Sequence, residues 1–144
     1  MAAGEKGELI MRAVLMSMKP EWWEKILAGE KDLEIRKTAP QGGTGELKPW
    51  PLLVLVYVSG TGAVLGQFYC HGWAKSDFWP MSYMASRSCV PVEDLERYAD
   101  GKPLYGWIVG EAEAYDTPSP LAEFGLTRPP MSWQYIEIPE AEDE

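Results

Sequence analysis

Apolar runs and polar breaks alternate along the chain at the spacing of short strands. "RAVLMSM" (12–18) is a compact apolar run and predicts a buried strand. "PEWWEKILAG" (20–29) predicts a short helix. Pro20 suits its first position, Glu21 and Glu24 favour the N-terminal end of its dipole, and Gly29 suits its stop. Trp23, Ile26 and Leu27 share a face expected to meet the core, which leaves Trp22 displaced toward solvent. "LEIRK" (33–37) alternates, so Leu33 and Ile35 point one way and Glu34 and Arg36 the other. "LLVLVYV" (52–58) reads as a buried strand, turned by "SGTG" into a returning strand "AVLGQFYC" (63–70). Gly66 inside that return marks a bulge or a close approach of another backbone.

Beyond it, "FWPMSYMASRSC" (78–89) reads as an irregular aromatic insertion, and "PVEDLERYADG" (91–101) as a second helix with Leu95 and Tyr98 on one face. "LYGWIVGEAEAY" (104–115) and "MSWQYIEI" (131–138) read as strands, with a turn-like stretch at 116–125 between them. Residues 38–51 are rich in Gly and Pro and read as a long loop. Many short strands with few helices predict an α+β chain with a mainly antiparallel sheet. Closing it into a small β-barrel, with two short helices packed on it, removes its exposed edges. The expected organisation is a flexible N-terminus (1–11), one domain (12–138) and a flexible acidic tail (139–144).

Charge narrows the partners. Twenty-two acidic against 13 basic residues give a net charge of −9, which excludes broad electrostatic adhesion to nucleic acid. Affinity for such a ligand must come from a pocket. Residues 12–37 are closer to balance: Arg12, Lys19, Lys25, Lys31, Arg36 and Lys37 lie among Glu21, Glu24, Glu30, Asp32 and Glu34. Two cysteines make no disulfide framework, and the polar first ten residues resemble no secretory signal, so the expected setting is cytoplasmic with reduced thiols. Cys70, His71 and Cys89 lack the spacing and the fourth ligand of a zinc site, and no stretch has the length of a membrane helix. "GGTG" (42–45) lacks the strand-to-helix context of a phosphate loop. No metal and no cofactor is expected.

The chemistry concentrates in "GEKDLEIRK" (29–37). Lys31 can meet a phosphate or a developing oxyanion, and burial or a nearby Arg36 lowers its pKa toward use as a base. Glu34 can take a proton or orient a water, and Arg36 can clamp a phosphate or a base edge. The three converge only if Lys31 still belongs to the turn before the strand. The competing account is an ion-pair network that merely fixes the strand beside the helix.

These residues resemble the signature of ASCH domains, a branch of the PUA-like superfamily: Gly29, Lys31, Glu34 and Arg36 fill its Gly-x-Lys-x-x-Glu-x-Arg pattern. Upstream, Ser17, Lys19 and Pro20 of "SMKPEW" also match. "GAVLGQF", "LYGWIV" and "RPPMSWQYI" look like later strands of a subgroup often seen in bacteria and their phages. The resemblance spans roughly 12–138 and implies a PUA-like pseudo-barrel with a cleft beside the first helix, lined by the signature. It implies a ligand among RNA or modified nucleosides. It also brings a hydrolase alternative, a ribonuclease or an amidohydrolase on acylated nucleosides, with Lys31 and Glu34 handling protons. The acetylcytidine-hydrolysing branch carries Thr where this chain has Glu34, which argues against that reaction here. Ser132 is then the candidate hydroxyl, with turn capping as its alternative role, and Ser17, Lys19 and Arg36 are candidate phosphate or base contacts. Aromatic faces beside basic residues suit stacking on unpaired bases, with Trp22 and Trp133 first and Trp79 next.

Overall fold

The computed structural model describes residues 10–40 and 51–139. The elements run β1 (Ile10–Met18), α1 (Pro20–Leu27), β2 (Leu33–Arg36), β3 (Leu52–Val58), β4 (Ala63–Lys75), α2 (Met81–Ser88), α3 (Val92–Ala99), β5 (Tyr105–Pro120), a 3-10 turn (Leu121–Phe124) and β6 (Trp133–Pro139). The tail from 140, the residues before Ile10, most of the expected 38–51 loop and Trp50 lie outside the described residues. β1 already includes Ile10 and Met11. No helix among the described residues is long and apolar enough to cross a membrane.

The six strands form one sheet in the order β2-β5-β4-β3-β1-β6. Only β1 and β3 pair in parallel; the other neighbours are antiparallel. The sheet curls but does not close by a ladder, since β2 and β6 remain its two edges. The α+β fold with its mainly antiparallel sheet is as expected from the sequence, but the expected barrel closure is not: among the described residues β2 and β6 share no ladder and are joined only by side-chain hydrogen bonds such as that of Arg36 to Ser132.

β3 is buried at all seven positions, so its side chains feed two cores. Val14, Met16, Val54, Val56, Phe68 and Trp107 fill the inner face with Trp23 and Ile26 of α1. Ala13, Leu15, Leu53, Leu55 and Ile136 pack on the other face, under the 3-10 turn. Leu27 departs from expectation: it is 42% exposed. The helix turns its Trp23–Ile26 stripe inward, and Leu27 falls beyond it.

Three further differences shape the fold. The stretch 78–89 is not irregular, because α2 occupies Met81–Ser88 and makes three α-helices rather than two. Met84 and Ser88, four residues apart, are fully buried, and Met84 packs with Leu33, Ile35 and Leu95 in a third cluster. Tertiary burial of that one stripe overrides weak local propensity. Residues 116–120 extend β5 rather than turning, with Val64 opposite Ser119 and Ala63 opposite Pro120. Two prolines are tolerated there because β2 covers only Tyr105–Ile108, which leaves this part of β5 on an open edge. β4, in turn, runs on to Lys75 through several register shifts. Gly66 sits at one of them as expected, and a Cβ there would come within 2.4 Å of both the Glu113 carbonyl oxygen and Trp23 Cζ2.

Both cysteines are free, Cys70 buried and Cys89 half-buried at the left-handed end of α2. Burial pushes the Cys70 thiol up to about 11. Its unfolded counterpart ionises first, so its stabilisation, about 2–3 kcal/mol, is complete below roughly pH 8.5 and is lost as pH rises toward the folded value. Alkylation of native protein at pH 8 is expected to modify Cys89 alone by peptide mass mapping, and both thiols after unfolding. Cys70→Ala should flatten the alkaline fall in denaturant midpoint. An unchanged slope would assign that fall elsewhere.

Candidate functional site

The site begins where α1 stops. Gly29 takes φ +80°, and the Lys31 N–H still bonds back to the Lys25 carbonyl at 3.2 Å. Lys31 therefore belongs to the turn, not to β2, and its side chain swings to the same side as Glu34. Its Nζ donates to the Ser88 carbonyl at 2.7 Å, lies 3.5 Å from Glu34 Oε1 and sits 4.8 Å from the Trp22 ring centroid. At 3% exposure it is sealed. Burial is the largest influence and lowers its pKa; Glu34 opposes the shift and Arg36 adds to it.

Glu34 is 5% exposed. Its Oε2 accepts from Arg36 Nε at 2.9 Å and lies 2.9 Å from Nη2 in the same ion pair. Its Oε1 is different. Lys31 is within ion-pair range, yet the oxygen accepts no hydrogen bond, and it is the one buried side-chain polar atom among the described residues left so.

Arg36 spans the seam. Nη2 donates to the Ser17 carbonyl at 2.8 Å, and Nη1 donates to Ser132 Oγ at 3.0 Å and to the Ser132 carbonyl at 3.4 Å. One guanidinium thus joins β2 to β1 and to the segment entering β6. Trp133 Nε1 donates to Thr38 Oγ1 at 2.9 Å, a second side-chain bond across the seam, and Trp107 Nε1 of β5 donates to the Thr38 carbonyl at 3.0 Å.

Beside this network lies a cleft of about 500 Å³ between β1, α1, β2 and α3. Glu34 and Arg36 form its floor, with Ser17, Lys19 and Trp22 on one wall and Asp94, Leu95 and Tyr98 on another. The Ser17 hydroxyl is committed to the Pro130 carbonyl at 2.6 Å. Lys19 is exposed at the helix entrance and makes no ion pair among those seen in the described residues. Burial raises the Tyr98 phenol, which keeps it a hydrogen-bond donor.

Five sequence candidates therefore line the cleft: Ser17, Lys19, Trp22, Glu34 and Arg36. Lys31 lies behind Glu34 rather than on the wall, Ser132 is held by Arg36 at the seam, and Trp133 packs edge-on against Trp107 and Tyr135. Trp79 stands away from the cleft, edge-on to Tyr83 and near Arg87. Sequence reasoning missed Asp94, Tyr98 and Met131 on the cleft. The signal available was the face of α3 that puts Tyr98 one turn after Asp94; nothing local places that face opposite Trp22. Among the described residues, no three His, Cys, Asp or Glu side chains are grouped to hold a metal ion. His71 pairs instead with exposed Glu111 at 2.6 Å.

The described residues thus form a curled six-stranded sheet with a cleft between the first helix and the edge strand. Solved structures agree. The crystal structure of ASCH from Zymomonas mobilis matches with a TM-score of 0.68 at 17% identity, over 85% of this chain and 86% of that one. Two variants of the same protein, one with a serine replaced by alanine and one with a tyrosine replaced by phenylalanine, match with the same score and identity. The chain has the ASCH fold. No family model matches the sequence, and no curated protein does.

Proposed function

We propose that the cleft binds one nucleotide of RNA or a modified nucleoside. The observation that carries this is the floor of the cleft, of nucleoside size, where the Glu34 carboxylate and the Arg36 guanidinium lie side by side with Trp22 and Tyr98 among the lining residues. A base edge can donate to this carboxylate, as glutamate accepts from the amino group of cytosine. Trp22 and Tyr98 give the base aromatic surface, and two cations against one carboxylate in the Lys31–Glu34–Arg36 group, with Lys19 at the rim, favour an anionic ligand. The pocket also reconciles binding with the net charge of −9, because no broad basic face is required. The ASCH resemblance supports the same ligand class, and two free thiols accord with a cytoplasmic setting.

Titrating the intrinsic tryptophan fluorescence with the four nucleoside monophosphates tests the reading. Saturable binding is expected, weakened roughly tenfold or more by Trp22→Ala and by Glu34→Gln, whose neutral amide is the poorer acceptor. Equal affinity in both variants, or no binding of any nucleotide or RNA, would sink it.

A hydrolase is the second reading, favoured by one observation: the buried Lys31 ammonium is pushed toward losing its proton beside Glu34. Against it, Nζ is committed to the Ser88 carbonyl and lies behind the cleft wall. Incubation of wild type and Lys31→Met with total RNA and acylated nucleosides, read by mass spectrometry, separates the two. Product from wild type alone, with the variant still folded, would replace the binding reading by an enzyme.

A further inference from the structure

The ends of β2, β5 and β4 carry two lysines, Lys37 and Lys75, that do not line the cleft. Arg36 stands opposite Tyr105, and Tyr105 opposite Lys75, so the three side chains form one row across three strands on one face. Strands lie about 4.8 Å apart, which puts the Lys75 backbone about 10 Å from that of Arg36. Lys75 Nζ lies 5.6 Å from the Tyr105 ring centroid, and Trp73 stacks edge-on against the same ring at 5.0 Å. On the neighbouring side, Lys37 Nζ lies 4.7 Å from the ring centroid of Tyr98, a cleft residue.

The ion pairs seen among the described residues take Lys25 and Lys31, but neither Lys37 nor Lys75. Both ammonium groups are placed over tyrosine faces instead, which positions them without neutralising them. Two cations without an ion pair among the described residues, set beside accessible aromatic rings, are the elements of a single-strand path: charge for the backbone and rings for the bases.

We infer that the β2–β5–β4 end is a second subsite, which takes the single-stranded RNA flanking the nucleotide in the cleft. Lys37 and Lys75 contact successive backbone phosphates, and Tyr105 with Trp73 offers stacking surface. The inference rests on the cleft binding a nucleotide. It makes the preferred ligand a short unpaired segment rather than a free nucleoside.

Fluorescence anisotropy with labelled oligoribonucleotides of one, four and eight residues tests it at 50 and 200 mM salt, on wild type and on the Lys37→Gln, Lys75→Gln double variant. Neither lysine lines the cleft, so mononucleotide binding is expected to persist in the variant. In wild type the tetramer should bind at least tenfold more tightly than the mononucleotide. The double variant should lose that gain, and its salt slope should fall by about 1.4, near 0.7 for each single-strand phosphate that is no longer neutralised. Affinity independent of length, or a length gain that survives in the double variant, would overturn the subsite and leave the cleft reading standing. Failure of every length on wild type would remove both. A matched set of DNA oligomers reports whether the 2′-hydroxyl contributes.

Discussion

Arg36→Leu is expected to lower the melting temperature by roughly 10 °C and to abolish nucleotide binding. The guanidinium donates to Glu34 Oε2, the Ser17 carbonyl, Ser132 Oγ and the Ser132 carbonyl. Those acceptors lie on β2, on β1 and just before β6, and β2 shares no ladder with β1 or β6. Leucine fills part of the volume but returns no donor. Glu34 is then left 5% exposed, with only Lys31 at 3.5 Å. Stranding one member of a buried charge group costs about 3–5 kcal/mol. For a domain near 150 residues each kcal/mol moves the midpoint by about 2–4 °C. Arg36→Lys should recover little, because a point charge cannot reach acceptors that a planar fork serves together. Circular dichroism melts of both variants check this. A Leu variant within 2 °C of wild type would show that the seam is held by other contacts.

Gly66→Ala is expected to cost about 3 kcal/mol or more, and to weaken nucleotide binding even though residue 66 lines no part of the cleft. Its Cβ would stand 2.4 Å from the Glu113 carbonyl oxygen and 2.4 Å from Trp23 Cζ2, with Ala114 Cα at 3.1 Å. Backbone on one side and a 4%-exposed ring on the other leave nothing soft to yield. Overpacking a tight core usually costs about 1–3 kcal/mol, and two contacts this short place the cost at the upper end. The displaced element is α1, which carries Trp23 inward and Trp22 and Lys19 on the cleft wall. A chemical denaturation curve gives the stability change. Nucleotide titration of the still-folded fraction should then show weaker binding. Wild-type stability would mean that α1 shifts freely over β4.

The local pattern carried much of the fold. β3 could be read from its unbroken apolar run. α1 could be read from Pro20, its acidic first turn and the Gly29 stop, and α3 from its apolar stripe. The side-chain period of two put Glu34 and Arg36 on one side of β2. The Gly29, Lys31, Glu34, Arg36 pattern also pointed to the ASCH fold that the solved structures share. These features depend on neighbours within one turn or one strand.

What the sequence by itself could not decide was which of those side chains reach a ligand. α2 escaped notice because its helix is held by burial of Met84 and Ser88 against β2 and α3, not by its own propensity. That same helix supplies the Ser88 carbonyl, 57 residues from Lys31, which draws the lysine behind the cleft. Arg36 is tied to Ser132, 96 residues away, so a residue with the chemistry of a clamp is also the fastener of the seam. The buried Lys31–Glu34–Arg36 group and a cleft lined by both Trp22 and Tyr98 exist only once the sheet has curled and α3 has docked. Periodicity determines which face a side chain takes. Burial, the unmet hydrogen bond and the shape of the cleft come from contacts between distant segments, and only the tertiary structure sets those.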